Sequence, residues 1–394
     1  MTHNDTPISL QPNSPHWLIV DGDLVQTGGM DIANLRLAQY LAESSSLHVV
    51  AHRVDPVLAN RSNVTLQYVK RPFNAHFLGG YLLDRAGRRT ARSLQKKSKV
   101  NVIVNGGNCC VPDAINWVHY VHAAYQPENR ASGLRRLKNV LHRRQSLRAE
   151  RTSMQNSRLV ICNSNMTAKH VHELIGVPKD RIRVVYYGID RERFFPATAV
   201  QKSELREKLG WTGARKKVLF IGALGDRRKG FDTVADAWEQ LSRLSAWEVD
   251  LIVVGSGVEM PKWKAHFEHL GLQKSVDFLG FRSDVPDLLR AADALIAPTR
   301  YEAYGLGIHE AICCGLPAFV SRDSGVAERY PPDLADKLLL SSPNDKNELF
   351  SKLLNWRASV GHCGLDIRPF ADEIRSRTWG DMSDEFVRLA RPSF

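Results

Sequence analysis

The feature that most limits how this chain can fold is an alternation of short apolar runs with amphipathic stretches, and it occurs twice. Residues 17–20, 47–51, 100–104, 115–121, 159–162 and 182–186 are apolar-rich runs, dominated by Val, Ile and Leu, that read as buried strands. After the first run come Gly28-Gly29 and a helical spacing of Leu35, Leu37, Ala38 and Leu41. The pattern restarts after residue 190, with strands predicted at 218–221, 249–254, 276–279, 294–297 and 318–320 and helices such as 231–244 and 305–314 between them. Continuous apolar strands separated by helices mark a parallel sheet covered on both faces. Two successive sets of βα units therefore predict an α/β protein of two Rossmann-like, doubly wound parallel-sheet domains. We place them at 1–190 and 191–370, with the boundary in the irregular stretch 188–199, and expect a helical tail, 371–394, to pack back on the first domain. Open α/β sheets bind ligands beyond the carboxyl ends of their strands, so the tandem pair predicts a cleft between those ends.

Composition narrows the partners. With 394 residues, 43% of them hydrophobic, the chain has material for packed cores and does not read as disordered. Lys plus Arg number 54 against 42 Asp plus Glu, a net +12 that suits a phosphate-bearing ligand, an anionic membrane face or nucleic acid. The six cysteines include no C-x-x-C pair and two directly adjacent couples, so reduced thiols and a cytoplasmic location are expected. The polar amino terminus lacks the apolar region of a signal peptide, and no run approaches the ~18 apolar residues that span a bilayer. The expected location is cytoplasmic, either soluble or peripheral on the inner face of a membrane.

The most informative segment is 298–317, Pro-Thr-Arg-Tyr-Glu-Ala-Tyr-Gly-Leu-Gly-Ile-His-Glu-Ala-Ile-Cys-Cys-Gly-Leu-Pro. A strand ends just before it, a loop carries Glu302, and Gly305 opens a helix carrying Glu310. Free backbone N–H groups at a helix start suit a pyrophosphate. A carboxylate one turn into the helix can accept hydrogen bonds from two ribose hydroxyls. A carboxylate in the loop lies near the sugar, where it can balance developing positive charge. A second segment, 220–232, ends a strand in the glycine turn at Gly222 and then places Arg227, Arg228 and Lys229 before a helix. Arg and Lys there can neutralise a diphosphate leaving group.

The first segment resembles the E-x7-E signature of retaining GT-B glycosyltransferases, the group often called glycosyltransferase family 4. Pro298, Glu302, Tyr304-Gly305-Leu306, Glu310-Ala311, Gly315 and Pro317 stand in register with it; Thr299, Ala303 and Tyr304 depart from its Ser, Gly and Phe. The second segment resembles the family's G-R-L-x-x-x-K-G element, whose Arg and Lys hold the donor phosphates. Ala223 stands where that Arg often sits, so the resemblance assigns Lys229, and Arg228 directly before it. Lesser matches are the Val254-Gly255-Ser256-Gly257 turn, the strand before Phe281-Arg282, which would border the nucleotide base, and Tyr187-Gly188-Ile189-Asp190 at the boundary.

The amino-terminal half matches more thinly. Gly28-Gly29 corresponds to the family's G-G element and would pack against the donor phosphate. His119 and His122, at the end of a predicted strand, are the two candidates for an active-site histidine near the acceptor or donor sugar. In an extended strand their spacing would point them to opposite faces, so only one could face the cleft unless the strand has ended. The basic segments 85–99 and 130–151 have two readings. In the second, leucines at helical spacing among arginines mark either a domain helix burying its leucine face or a helix docked on an anionic membrane or holding an anionic acceptor. Nucleic-acid binding is not expected, because interleaved aromatics and a known module are lacking.

The resemblance covers about residues 17–390. It implies a hexosyltransferase-type enzyme, of the kind used in polysaccharide biosynthesis. Such an enzyme takes a sugar from a nucleotide-sugar donor held by the second domain and passes it to a glycan, lipid-linked or small-molecule acceptor held mostly by the first. No cofactor or metal is expected. The alternatives are a nucleotide-sugar epimerase or phosphorylase on the same fold, and a non-catalytic module binding an anionic lipid or RNA.

Overall fold

The computed structural model describes residues 16–72, 76–127, 133–225, 227–359 and 366–391, apart from a few side chains at 76–77, 134–136, 138 and 359. The residues before position 16, residues 130–132 of the second basic segment, Asp226 and Cys363 therefore lie outside the description. The chain forms two compact units. Unit 1 holds the described residues up to Tyr125, the stretch 133–187 and the return from Trp379; unit 2 holds Gly188–Thr378.

Unit 1 contains β1 (His16–Val20), β2 (Asp23–Leu24), β3 (Ser46–Ala51), β4 (Arg53–Val54), β5 (Val64–Tyr68), β6 (Val100–Asn105), β7 (Ile115–Val118), β8 (Leu159–Cys162) and β9 (Ile182–Val184). Its main sheet runs β5-β3-β1-β6-β7-β8-β9, all parallel, while β2 and β4 pair separately. β1 lies between β3 and β6, with Trp17 opposite Leu47 on one side and Asn101 on the other. Its residues from Trp17 to Val20 are buried, which is why the run is apolar without alternation. β5 is an edge strand with exposed Thr65, Gln67 and Tyr68; half of it faces water, so no apolar run announces it.

Two predicted strands end early. The run expected to continue to residue 121 stops at Val118, and the run expected to reach 186 stops at Val184. The expected tail also divides. Helix Arg368–Arg375 belongs to unit 2, whereas helix Trp379–Ala390 belongs to unit 1, with Phe386 packed 5.0 Å from the Trp117 ring and Arg158 Nη2 donating to the Ala390 carbonyl at 2.6 Å.

Unit 2 contains β10 (Lys216–Ile221), β11 (Val249–Val254), β12 (Val276–Gly280), β13 (Ala294–Ala297), β14 (Ala318–Ser321) and β15 (Leu339–Leu340), in the parallel order β12-β11-β10-β13-β14-β15. The order reverses between β10 and β13, the switch point at which doubly wound sheets open a crevice beyond the strands' carboxyl ends. The chain leaves β10 into Gly222–Gly230 and leaves β13 into Pro298–Gly305, so topology alone brings the two chemically loaded loops side by side.

Candidate active site

Three close contacts join these loops. Gly230 has φ 74°, and a Cβ there would sit 1.9 Å from the Pro298 carbonyl oxygen, so only glycine allows the approach. The Arg300 backbone N–H donates to the Arg228 carbonyl at 2.7 Å, and Thr299 Oγ1 donates to the same oxygen at 3.1 Å. The turn after β11 closes in as well: Gly255, at φ 132°, would place a Cβ 2.0 Å from the Gly222 carbonyl oxygen.

On this frame Glu302 Oε2 accepts from Arg228 Nη1 at 3.1 Å and from Lys229 Nζ. Arg228 Nη1 also donates to the Tyr301 carbonyl at 3.1 Å. The Glu302 backbone is pinned from the opposite side, its N–H donating to Asp323 O at 3.0 Å and its carbonyl accepting from Gly325 N at 2.9 Å. Burial alone would raise the Glu302 carboxyl; Lys229 and Arg228 outweigh burial and hold it below its ordinary value. Two cations share one carboxylate, so the cluster retains positive charge.

A second layer, absent from the sequence reading, lies beneath the basic turn. Asp232 accepts from Arg300 Nη1 and Nη2, each at 2.8 Å, and from Arg227 Nε at 2.8 Å. Burial pushes the Asp232 carboxyl up, but the Arg300 and Arg227 hydrogen bonds prevail and leave it lowered. Arg300 Nη1 also donates to the Arg227 carbonyl. Arg300 stood inside the signature segment, but no local signal ties it to a partner 68 positions away.

Glu310 lies on helix Leu306–Cys313, capped by Gly305 at φ 102°. Its carboxylate is partly buried and has no hydrogen-bond or ion-pair partner among the described residues. Burial pushes it up to about 8, against the opposing charge of Arg193. Tyr304 and Leu306, expected at the donor, are buried. The Tyr304 hydroxyl pairs with His309 Nδ1 at 2.8 Å, so the ring is engaged within unit 2. Phe281 is 73% exposed just after β12, and Arg282 Nε donates to its neighbour Asp284 at 2.7 Å.

The remaining expected residues lie in unit 1. Gly28, at φ 90°, precedes helix Gly29–Ser44. Asp31 stands in that helix's first turn, its carboxyl pushed up to about 7 by burial and by the charges of Asp21 and Asp23. This acidic surrounding opposes a phosphate at Gly28-Gly29, and Arg53 and Arg71 are already drawn to Asp23. His119 is 7% exposed; Nδ1 pairs with the Tyr187 hydroxyl at 2.5 Å and Nε2 with Asn34 Oδ1 at 3.1 Å. Burial pushes its pKa down to about 3, so the ring is neutral and both nitrogens are occupied. His122 lies past the strand end, exposed, in the short turn His122–Ala124 whose first two N–H groups donate to the Glu150 carboxylate at 2.7 and 3.2 Å. The strand has ended before either histidine, so strand alternation does not apply to them; His119 is buried and His122 exposed.

Comparison with known proteins agrees with this layout. A family model described as Glycosyltransferase Family 4 matches residues 27–193, and one described as Glycosyl transferases group 1 matches 201–356. The mannosylfructose-phosphate synthase of Agrobacterium fabrum is 27% identical over 241 residues, 59% of this chain and 52% of that protein. The match spans about half the length of that curated relative. Among solved structures, WaaG, a glycosyltransferase involved in lipopolysaccharide biosynthesis, superposes with TM-score 0.75 at 19% identity, covering 96% of this chain and 100% of its own. Anabaena HepE in complex with UDP-glucose superposes with TM-score 0.68 at 19% identity, covering 95% and 98%. The two structural likenesses establish the GT-B fold, and the two family models account for both units: the chain belongs to the group 1, family 4 glycosyltransferases.

Proposed function

We propose that this protein is a retaining glycosyltransferase that moves a sugar from a nucleoside-diphosphate sugar to a glycan, lipid-linked or small-molecule acceptor. The observation that carries the reading is the cluster of Lys229, Arg228 and Glu302 at the switch point of unit 2, with the unpaired Glu310 carboxylate on the adjoining helix. Breaking the bond between the anomeric carbon and the diphosphate leaves negative charge on the leaving phosphate and positive charge on the sugar ring. Lys229 and Arg228 meet the first and Glu302 the second. All three are held in place before the substrate arrives, so little reorganisation remains for the reaction. The Glu310 carboxyl, which keeps its proton up to about pH 8 in the free fold, has two oxygens open to a pair of ribose hydroxyls. A structural relative bound to UDP-glucose supports a nucleotide-sugar donor. In a same-face substitution the departing phosphate accepts the acceptor's proton, so no protein nucleophile is needed.

The test is nucleoside-diphosphate release by the full chain, with donors first ranked by thermal shift, since a ligand that binds only the folded state raises its stability. Lys229→Ala and Glu302→Gln are expected to lower turnover by roughly 100-fold or more while the fold survives. Parental rates in both variants overturn the assignment.

A further inference from the structure

The sheet of unit 1 reverses its strand order between β1 and β6, so this unit has a switch point of its own beyond the carboxyl ends of those strands. Asp21 directly follows β1, Asn105 ends β6, and the pairing of Val20 with Val104 sets the two side by side. Both are buried, at 1% and 3% exposure. Asp21 Oδ1 accepts from Gly22 N at 2.7 Å and from Asn108 Nδ2 at 3.3 Å, but Oδ2 has no partner, and neither atom of the Asn105 amide meets one in hydrogen-bonding geometry. Helix Gly29–Ser44 adds Asp31 and, one turn on along the same face, Asn34, whose Nδ2 is a further buried atom without a partner. The Asp31 carboxylate is half-buried and lies against the turn before the helix, 3.3 Å from where a Cβ on Gly28 would stand. It has no hydrogen bond or ion pair among the described residues.

Buried polar groups are almost always paired, so several orphans gathered at one switch point mark a place for a polar ligand. The charge says which kind. Of the guanidinium groups nearby, Arg53 and Arg71 are both engaged on Asp23, at 2.9 and 3.2 Å. Asp21 and Asp31 are left without a counter-charge; burial first, and the neighbouring acids after it, push them up to about 6 and about 7. An anionic group would be repelled here, and a neutral sugar would leave the carboxylates uncompensated. A metal ion needs several converging ligands, and no group of three acidic, histidine or cysteine side chains is placed to hold one among the described residues. An ammonium brings one compact positive charge and three donors, which suits a half-buried carboxylate with a second negative charge beneath it.

We propose that this crevice of unit 1 takes an acceptor bearing a protonated primary amine among its hydroxyls, an amino sugar or aminocyclitol, with the ammonium paired to Asp31. The acceptor role rests on the transfer reading; the pairing itself needs no donor.

The experiment is titration calorimetry of the full chain with glucosamine, glucose and N-acetylglucosamine at about pH 7 and low salt. Glucosamine is expected to bind roughly tenfold tighter than either uncharged sugar, and added salt to narrow the gap. Asp31→Asn should remove the preference, and Asp31→Glu, which keeps the charge, should retain part of it. Asp31→Asn deletes an uncompensated carboxylate, so its melting temperature is expected at or above the parent's. Lys229→Ala should lose turnover and keep the preference. Equal binding of the three sugars, a preference that survives Asp31→Asn, or stabilisation by Mg²⁺ that Asp31→Asn abolishes overturns the proposal. Turnover without the preference overturns the amine site alone. The preference without turnover of any nucleotide sugar overturns the transfer reading and leaves the amine site standing.

Discussion

Arg300 holds Asp232 through two parallel hydrogen bonds, Nη1 to Oδ1 and Nη2 to Oδ2, each 2.8 Å long. Asp232 begins the helix after the basic turn, and Arg300 sits two positions before Glu302. The pair therefore sets the distance between the cations and the acid without itself belonging to their cluster. Arg300→Ala is expected to cut kcat by roughly 10- to 100-fold, because small displacements of charged groups are costly in a preorganised site, and to change donor KM far less. Arg300→Lys should restore part of the loss, since lysine keeps the charge but not the two-pronged geometry. The double variant Arg300→Ala/Asp232→Ala should be little worse than either single change. Additive losses, or a change confined to KM, would refute the positioning role.

Glu310 predicts a slope in the pH dependence of stability. Its carboxyl has an ordinary value of 4.5 and is pushed up to about 8 in the fold. The unfolded chain thus gives up this proton first, and the folded state loses relative stability as pH rises from about 4.5 to about 8. Glu310→Gln removes the ionisation. Its melting temperature relative to the parent should hold constant at and below pH 4, climb through neutrality and level off above pH 8. A difference independent of pH would show that the carboxyl is not raised.

His119 is expected to behave as a structural residue. His119→Ala opens a cavity and takes a hydrogen-bond partner from Asn34 and from the Tyr187 hydroxyl, which keeps Asn163 Nδ2 at 3.1 Å, a loss of about 2–4 kcal/mol measurable by denaturant titration. His122→Ala, at an exposed position, should change stability by no more than about 0.5 kcal/mol. Because burial pushes the His119 pKa down to about 3, its ring resonances should stay flat between pH 5 and 8. Titration in that window would contradict the buried, doubly bonded ring.

Several features were readable from short stretches of chain. The apolar runs at 249–254, 294–297 and 159–162 coincide with β11, β13 and β8. Fully buried parallel strands must be apolar on both faces, so they announce themselves locally. The half-exposed edge strand β5 carries no such run, and β15, though apolar and buried, is only two residues long, so neither announces itself. The loops bearing Lys229 and Glu302 were legible for a related reason: glycine, cation and acid spacings are local, and the doubly wound topology implied by the strands brings those loops to one switch point. Strand ends were less legible. Nothing in the run 115–121 marks the stop at Val118, where Glu150, from a distant helix, captures the N–H groups of the next turn.

What the amino-acid order determined by itself is the pair of parallel sheets and the identity of the charged loops, because burial pattern and turn chemistry are written in neighbouring residues. Only the tertiary structure decided that Arg300 meets Asp232, that His119 is sealed while His122 is open, that Tyr304 turns its ring into the core, and that Leu137, Val140 and Leu141 of helix Gly133–Gln155 stay in solvent. These outcomes depend on contacts between residues tens of positions apart, and on which side of a helix finds a packing partner. Hydrophobic periodicity reports that an apolar face exists; it does not report whether another element arrives to cover it.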